Sequence, residues 1–531
     1  MMNKAVNRKY LIATLFALSF VLYARTLNYG FVWDDERIHL TNNQQLMKGD
    51  VTSFWTQPYS GMYIPVTYTT WTFVKSISIS KKELSPKLFH LLNVITHSIN
   101  GVLVFLLLSI LFKNQTQAFW GSVLFLLHPL QVESVAWISE FRGLYSVFFS
   151  LLSLISIFRY FEKNAVVAFR AFVFSKQFII ASVLFVFALL AKPSAVVLPF
   201  IASILVWCFY KEHFKSITKG LSVWFLFIIP ILLITKHSQT NEFIYASISL
   251  WQRFLIAGNS LFFYLYKLIV PYPLVACYGY TPELIVSNIF SYFSMFFCVF
   301  LAIVLFIKRK SNPILFSSFG VIAISVFPVL GLVSFEYQKH STVADHYMYF
   351  GMLGVTLLIP LISECIKKYN YLKYISGGIL IIYVVLNIQQ TSTWKNEFTI
   401  WDNTLTHYQN SPNVYYNRGV EYSKIGNFNA AINDYTQCLA LQKDYRDALF
   451  NRANAYENLN DINEAFADYN TYLSVDSTDG SVYYKRAYLN YKTGNINGAI
   501  NDVGKAEQLG FSVGNKFKKT LNDARMKQLR Y

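Results

Sequence analysis

Up to about residue 390 the chain is one apolar run after another, parted by short gaps, and this pattern leaves few folds open to it. A helix crosses a bilayer with about 20 mainly apolar residues, because the helical backbone satisfies its own hydrogen bonds there. Candidate spans fall at 8–24, 88–111, 117–129, 141–161, 177–191, 194–210, 221–235, 287–307, 313–334, 346–364 and 371–390. Only 14% of the residues are charged, against about 25% in a soluble domain. The first run reads as an uncleaved helix, since Ala24-Arg25-Thr26 is a poor cleavage site and further spans follow. The reading is an all-α, polytopic membrane domain over 1–390 with about eleven crossings.

Charge sets the orientation. The net charge is +17, yet the stretch after 390 holds 15 of the 29 acidic and 16 of the 46 basic residues, so the excess lies in the membrane part. A basic balance can serve nucleic acid or membrane topology. Here the cations sit in short gaps between spans, so topology is the reading and no nucleic-acid partner is expected. The clusters are Lys4, Arg8 and Lys9; Arg159, Lys163, Arg170 and Lys176; Lys211, Lys215 and Lys219; Lys308-Arg309-Lys310; and Lys367, Lys368 and Lys373. All fall on one, cytoplasmic, side if 251–272 does not cross. That stretch holds Arg253, Asn259 and Lys267 and ends at Pro271 and Pro273, which suits an interfacial or re-entrant helix. The N-terminus is then cytoplasmic and the C-terminal part lies on the other side. Five scattered cysteines predict neither a disulfide framework nor a zinc site.

Beyond a linker at 391–412 the text repeats every 34 residues. Gly419, Ala453 and Ala487 keep this step, as do Ala431, Ala465 and Ala499; Gly426, Asn460 and Gly494; and Asp434, Asp468 and Asp502. This is the tetratricopeptide pattern: small residues where antiparallel helices touch, and Gly or Asn at the turn. Three repeats are expected over 413–515, at about 412–445, 446–479 and 480–513, with a basic capping helix at 516–531. Helix packing accounts for most of these positions. An acceptor protein or peptide would be held on the concave face, where Asn417, Arg418, Asn451 and Arg452 recur.

The longest segment outside the spans, 25–87, carries Asp34-Asp35-Glu36 directly after the first span. Crowded carboxylates raise one another's pKa. One of them can take a proton from a hydroxyl as a general base or hold a divalent cation through oxygen. The bland alternative is a solvated helix start. His90, His97, His128, Glu133, Glu140, Arg142, Lys192, Glu336, Asp345 and His346 fall near the same side. Ionisable groups at membrane depth usually face a cavity, so together these residues suggest a polar pocket. His97 and Glu140 are read as satisfied structural groups. Phosphate-binding glycine loops, HExxH helices and serine elbows are missing from the sequence.

Several of these segments resemble those of the transmembrane and tetratricopeptide-repeat O-mannosyltransferases of the GT-C superfamily. They are NYGFVWDD (28–35), YIPVTYTTW (63–71), LFHLLNVITHSINGVLVF (88–105), HPLQVESVAWISE (128–140), AKPSAVVLP (191–199) and DHYMY (345–349), followed by the repeats. The resemblance implies a GT-C-type membrane domain that takes a sugar, mannose, from a polyprenyl-phosphate donor and transfers it to Ser or Thr of an acceptor protein outside the cytoplasm. It implies Asp34 as catalytic base with Asp35 in support. Arg142, Lys192, Asp345 and His346 would serve the donor phosphate, and His90, His128 and Glu133 would line the pocket; the resemblance leaves open a metal-independent transfer and one assisted by a divalent cation. The chain departs from the family at Phe141, Gly143 and His346, where a basic residue, an acid and an arginine are usual. The competing reading is a non-catalytic membrane scaffold that recruits partners through its repeats. A transporter is disfavoured because no inverted repeat of spans is visible. The outer side is either periplasm or endoplasmic reticulum lumen; the richness in Lys, Asn, Ile, Tyr and Phe hints at an AT-rich genome and favours a bacterial inner membrane over the endoplasmic reticulum.

Overall fold

The computed structural model describes residues 7–80, 83–164, 168–238 and 248–529. Lys4 and Arg530 fall outside them. Among the described residues the regular structure is helical apart from one antiparallel pair, Ile79–Ser80 with Glu83–Leu84. It divides into two units, Met1–Ile400 and Trp401–Tyr531.

In the first unit, six described helical stretches have the length and apolar composition to cross a membrane: Arg8–Asn28, Pro86–Phe112, Ile138–Glu162, Lys211–Ser238, Ile289–Ile307 and Leu372–Thr393. The Pro86–Phe112 helix starts on a proline at its first turn, which gives up no intrahelical bond there. Its 27 residues reach about 40 Å. Other expected spans are shorter helices, such as Gln115–Leu127, Lys176–Ala191 and Pro313–Val326. The continuous span expected over 346–364 is broken into a turn at Asp345–Met348 and helices at Met352–Thr356 and Ile359–Lys368. Gly354 lets this broken stretch approach the preceding helix, since a Cβ there would lie 2.6 Å from the Ser318 carbonyl oxygen. The expected interfacial segment is one helix, Leu250–Ile269. Arg253 Nη1 near its start donates to Ser334 Oγ at 2.9 Å, and Tyr264 OH near its end accepts from Ala344 N at 3.3 Å.

The 25–87 segment folds around a core of its own. Short helices at Gln44–Lys48, Val51–Thr56 and Pro65–Ser78 bury Leu46, Phe54, Tyr68 and Trp71 against Phe89, Ile138 and Phe141. Phe54 stacks on Tyr68 at 4.5 Å. The segment is therefore anchored on helices of the membrane part rather than left loose. The stretch expected to be a linker, 391–412, contains a helix, Glu397–His407.

The second unit is a stack of helix pairs: Pro412–Lys424 with Phe428–Leu441, Arg446–Leu459 with Ile462–Val475, and Gly480–Lys492 with Ile496–Gln508. Gly426, Asn460 and Gly494 close the turns within the pairs at φ of 76°, 65° and 79°. That left-handed conformation is why only Gly or Asn recurs there. The expected capping helix runs Asn515–Gln528 and packs Phe517 against Tyr484, Tyr488 and Tyr491.

Candidate functional site

The acidic loop is braced at Gly30, Val32, Trp33 and Asp35. Asp35 is fully buried. Its Oδ2 accepts from Val32 N at 3.0 Å, and its Oδ1 accepts from Ser139 N at 2.9 Å and Ser139 Oγ at 2.5 Å. Asp35 thus ties the loop to the segment that opens the Ile138–Glu162 stretch. Burial pushes its carboxyl up to about 7, against the pull of the Ser139 and Val32 donors. Asp34 is half-buried, and its carboxylate makes no hydrogen bond among the described residues. Loss of solvation raises its pKa, and the charge of Arg142 works in the opposite direction. Of the two acids, Asp34 is the one open to a ligand.

Trp33 holds the turn in place. Its φ of 55° is a left-handed conformation that a bulky residue adopts only under restraint. Its ring stacks on Trp137 at 4.9 Å, Trp137 stacks on Trp394 at 6.0 Å, and Trp33 N donates to Glu397 Oε1 at 2.7 Å. Gly30 N also donates to the Lys395 carbonyl at 3.4 Å. The 394–397 segment therefore lies against the acidic loop. His90 supports the same loop, with Nε2 3.3 Å from the Gly30 carbonyl oxygen.

A second cluster gathers around Glu140, which has no solvent exposure. Its Oε1 accepts from Arg142 Nε at 2.9 Å, and its Oε2 accepts from Lys192 Nζ at 2.8 Å. His346 Nε2 lies 3.8 Å from Glu140 Oε1, and its Nδ1 lies 2.9 Å from Glu133 Oε1. Glu133 Oε2 also accepts from His346 N at 3.0 Å. Three of the residues expected at the donor phosphate thus come together, and Glu133 orients one of them. Gly143, Lys192, Ser325, His346 and Tyr347 line a cleft of about 60 Å³. A Cβ at Gly143 would sit 2.6 Å from Glu140 Oε2, so the missing side chain at this position leaves room for the carboxylate that bridges the two cations.

Asp345 and His128 point elsewhere. Asp345 Oδ1 accepts from Tyr278 OH at 2.8 Å. His128 Nε2 lies 3.2 Å from the Leu268 carbonyl oxygen. Both fix the Leu250–Ile269 helix and its following loop. Glu140, read from sequence as a satisfied structural group, is paired to both Arg142 and Lys192, and Ser139, not singled out from sequence, anchors Asp35. Among the described residues no group of three His, Cys, Asp or Glu side chains could hold a metal ion.

In the second unit the recurring arginines form a ladder. Arg418, Arg452 and Arg486 each place Nε and Nη2 on the two oxygens of Asp434, Asp468 and Asp502, at 2.6–2.9 Å. Arg418 Nη1 also reaches Asp402 Oδ1 at 2.8 Å. These forks join the two helices of each pair.

Tetratricopeptide-repeat family models match residues 412–445 and 447–479. The first two C-terminal helix pairs are tetratricopeptide repeats. Over longer stretches the chain is similar to curated animal proteins. It is 34% identical over 137 residues to protein O-mannosyl-transferase Tmtc1 of Drosophila melanogaster, covering 23% of this chain and 15% of that one. It is 22% identical over 469 residues to a protein O-mannosyl-transferase of Caenorhabditis elegans, covering 81% and 62%. It is 31% identical over 150 residues to human protein O-mannosyl-transferase TMTC3, covering 26% and 16%. The chain thus spans less than two thirds of the length of these relatives. All three are eukaryotic, so they lend no support to the bacterial source read from composition. Within the tetratricopeptide repeats, Asn451 Nδ2 donates to Tyr416 OH at 3.2 Å and Asn417 is buried. With Arg418 and Arg452 in the ladder, much of the polar capacity expected to meet an acceptor is directed into the array itself.

Proposed function

We propose that this protein is a membrane glycosyltransferase of GT-C type that moves a sugar, mannose, from a polyprenyl-phosphate lipid to Ser or Thr of an acceptor protein on the non-cytoplasmic side. The observation that carries this reading is one open carboxylate, Asp34, in a rigidly braced loop and within electrostatic reach of Arg142. Arg142 leads in turn to Lys192 and His346 around Glu140. The names of the relatives supply the sugar and the acceptor class.

The chemistry runs as an inverting displacement. Asp34 takes the proton of the acceptor hydroxyl. The oxygen attacks the sugar C1 as the bond from C1 to the phosphate oxygen breaks, and lipid phosphate leaves with the electron pair. Arg142, Lys192 and His346 stabilise the charge that develops on that phosphate. The tetratricopeptide repeats present the acceptor. A common side for the acidic loop and the end of the membrane part is supported by Trp394, Lys395 and Glu397 lying against the loop. This support does not depend on how many spans precede them.

Glu140 favours a second reading. It already binds both Arg142 and Lys192, which suits a non-catalytic scaffold whose cations serve only stability. Purified protein given polyprenyl-phosphate mannose and a Ser/Thr peptide separates the two. Mannosylated peptide is the expected product, whereas no transfer from any polyprenyl-phosphate sugar tried supports the scaffold.

A further inference from the structure

We propose that Glu397 is a positioning residue for Asp34; this rests on the role given to Asp34 above. Glu397 stands far from the acidic loop in sequence, in the first turn of the Glu397–His407 helix, where an acid ordinarily serves the helix dipole. Its contact shows a second use. Glu397 Oε1 accepts the backbone N–H of Trp33 at 2.7 Å, a short bond for an N–H donor. Trp33 is the residue immediately before Asp34, and it is held at φ 55°. Relaxing that φ to the ordinary negative range rotates the chain between Val32 and Asp34. Asp35 cannot follow, because three donors pin it to Ser139 and Val32. The rotation therefore falls on Asp34, whose side chain makes no capping bond to the turn it opens.

The stack of Trp33 on Trp137 is the second restraint on the same residue, and Trp394 continues the column three residues before Glu397. The 394–397 segment thus grips the loop through an aromatic face and a carboxylate together. Glu397 touches the backbone of Trp33 and acts on the reaction through Asp34.

The test compares wild type, Glu397→Ala, Glu397→Gln, Trp33→Phe and Asp34→Asn in the full-length protein, by transfer kinetics and by near-UV circular dichroism. Glu397→Ala is expected to lower kcat roughly 10- to 100-fold, the cost of misplacing a reacting group by about 1 Å, with the KM for donor and acceptor nearly unchanged. Glu397→Gln keeps an oxygen for the Trp33 N–H and is expected to restore most of the rate. Glu397→Ala should also lose the same dichroic band that Trp33→Phe loses, while Asp34→Asn keeps it. A wild-type kcat in Glu397→Ala, or equal rates in the Ala and Gln variants, overturns the proposal. If wild type transfers nothing, the reading of Asp34 fails, and the dichroic band alone then decides whether Glu397 sets the Trp33 turn: retention of the band in Glu397→Ala overturns that role as well.

Discussion

At Asp35 three donors converge on one buried carboxylate, so truncating the side chain strands Val32 N, Ser139 N and Ser139 Oγ without their acceptor. Asp35→Ala is expected to destabilise the fold by about 2–3 kcal/mol, read as an earlier thermal unfolding transition in detergent. Asp34 has the opposite environment. As a base it must be ionised, and its pKa is raised by burial while Arg142 holds it down. Activity should therefore fall on the acid side as Asp34 takes up a proton. Removing the Arg142 charge takes away the stabilisation of the carboxylate, so the pKa rises further. Arg142→Gln is expected to shift the acid limb of the kcat/KM profile to higher pH; an unmoved limb would separate Arg142 from the base.

Among elements, the ladder of arginines and aspartates is the clearest load on the repeats. Arg452 and Asp468 are both largely buried and doubly bonded. Asp468→Ala takes the carboxylate from the Arg452 guanidinium in the middle repeat, leaving it only the Thr436 hydroxyl, and is expected to cost about 2–3 kcal/mol. Faster hydrogen exchange in Arg446–Leu459 and Ile462–Val475 would report it. These elements were legible from sequence because a 34-residue period exposes small residues, turn glycines and the recurring Asp directly. What the period did not reveal was direction: Arg418 and Arg452 recur as a binding residue would, yet their guanidiniums meet Asp434 and Asp468. The membrane helices were visible as apolar runs, but their breaks were less so. Residues 346–364 read as one span because apolar content is blind to a close backbone approach such as Gly354 against Ser318. Asp34 could be named from its neighbours in sequence. Glu397 and Ser139 could not, since nothing local links them to a loop more than a hundred residues away.

For the molecule as a whole, the proposed orientation makes a prediction about where the chain leaves its membrane part. Residues 394–397 lie against the acidic loop. A reporter fused after residue 395 is accordingly expected on the same side as one inserted in the exposed part of the 44–57 region, away from the cytoplasm. Opposite sides would break the link between the repeats and the proposed reaction. The central claim is that Asp34 accepts the proton of the attacking hydroxyl. Its most direct test is the rate of mannose transfer to a Ser/Thr peptide by Asp34→Asn beside wild type, at saturating polyprenyl-phosphate mannose. A loss of about 100-fold or more in kcat, with the donor still bound, is the predicted result; equal transfer by the two proteins would contradict it.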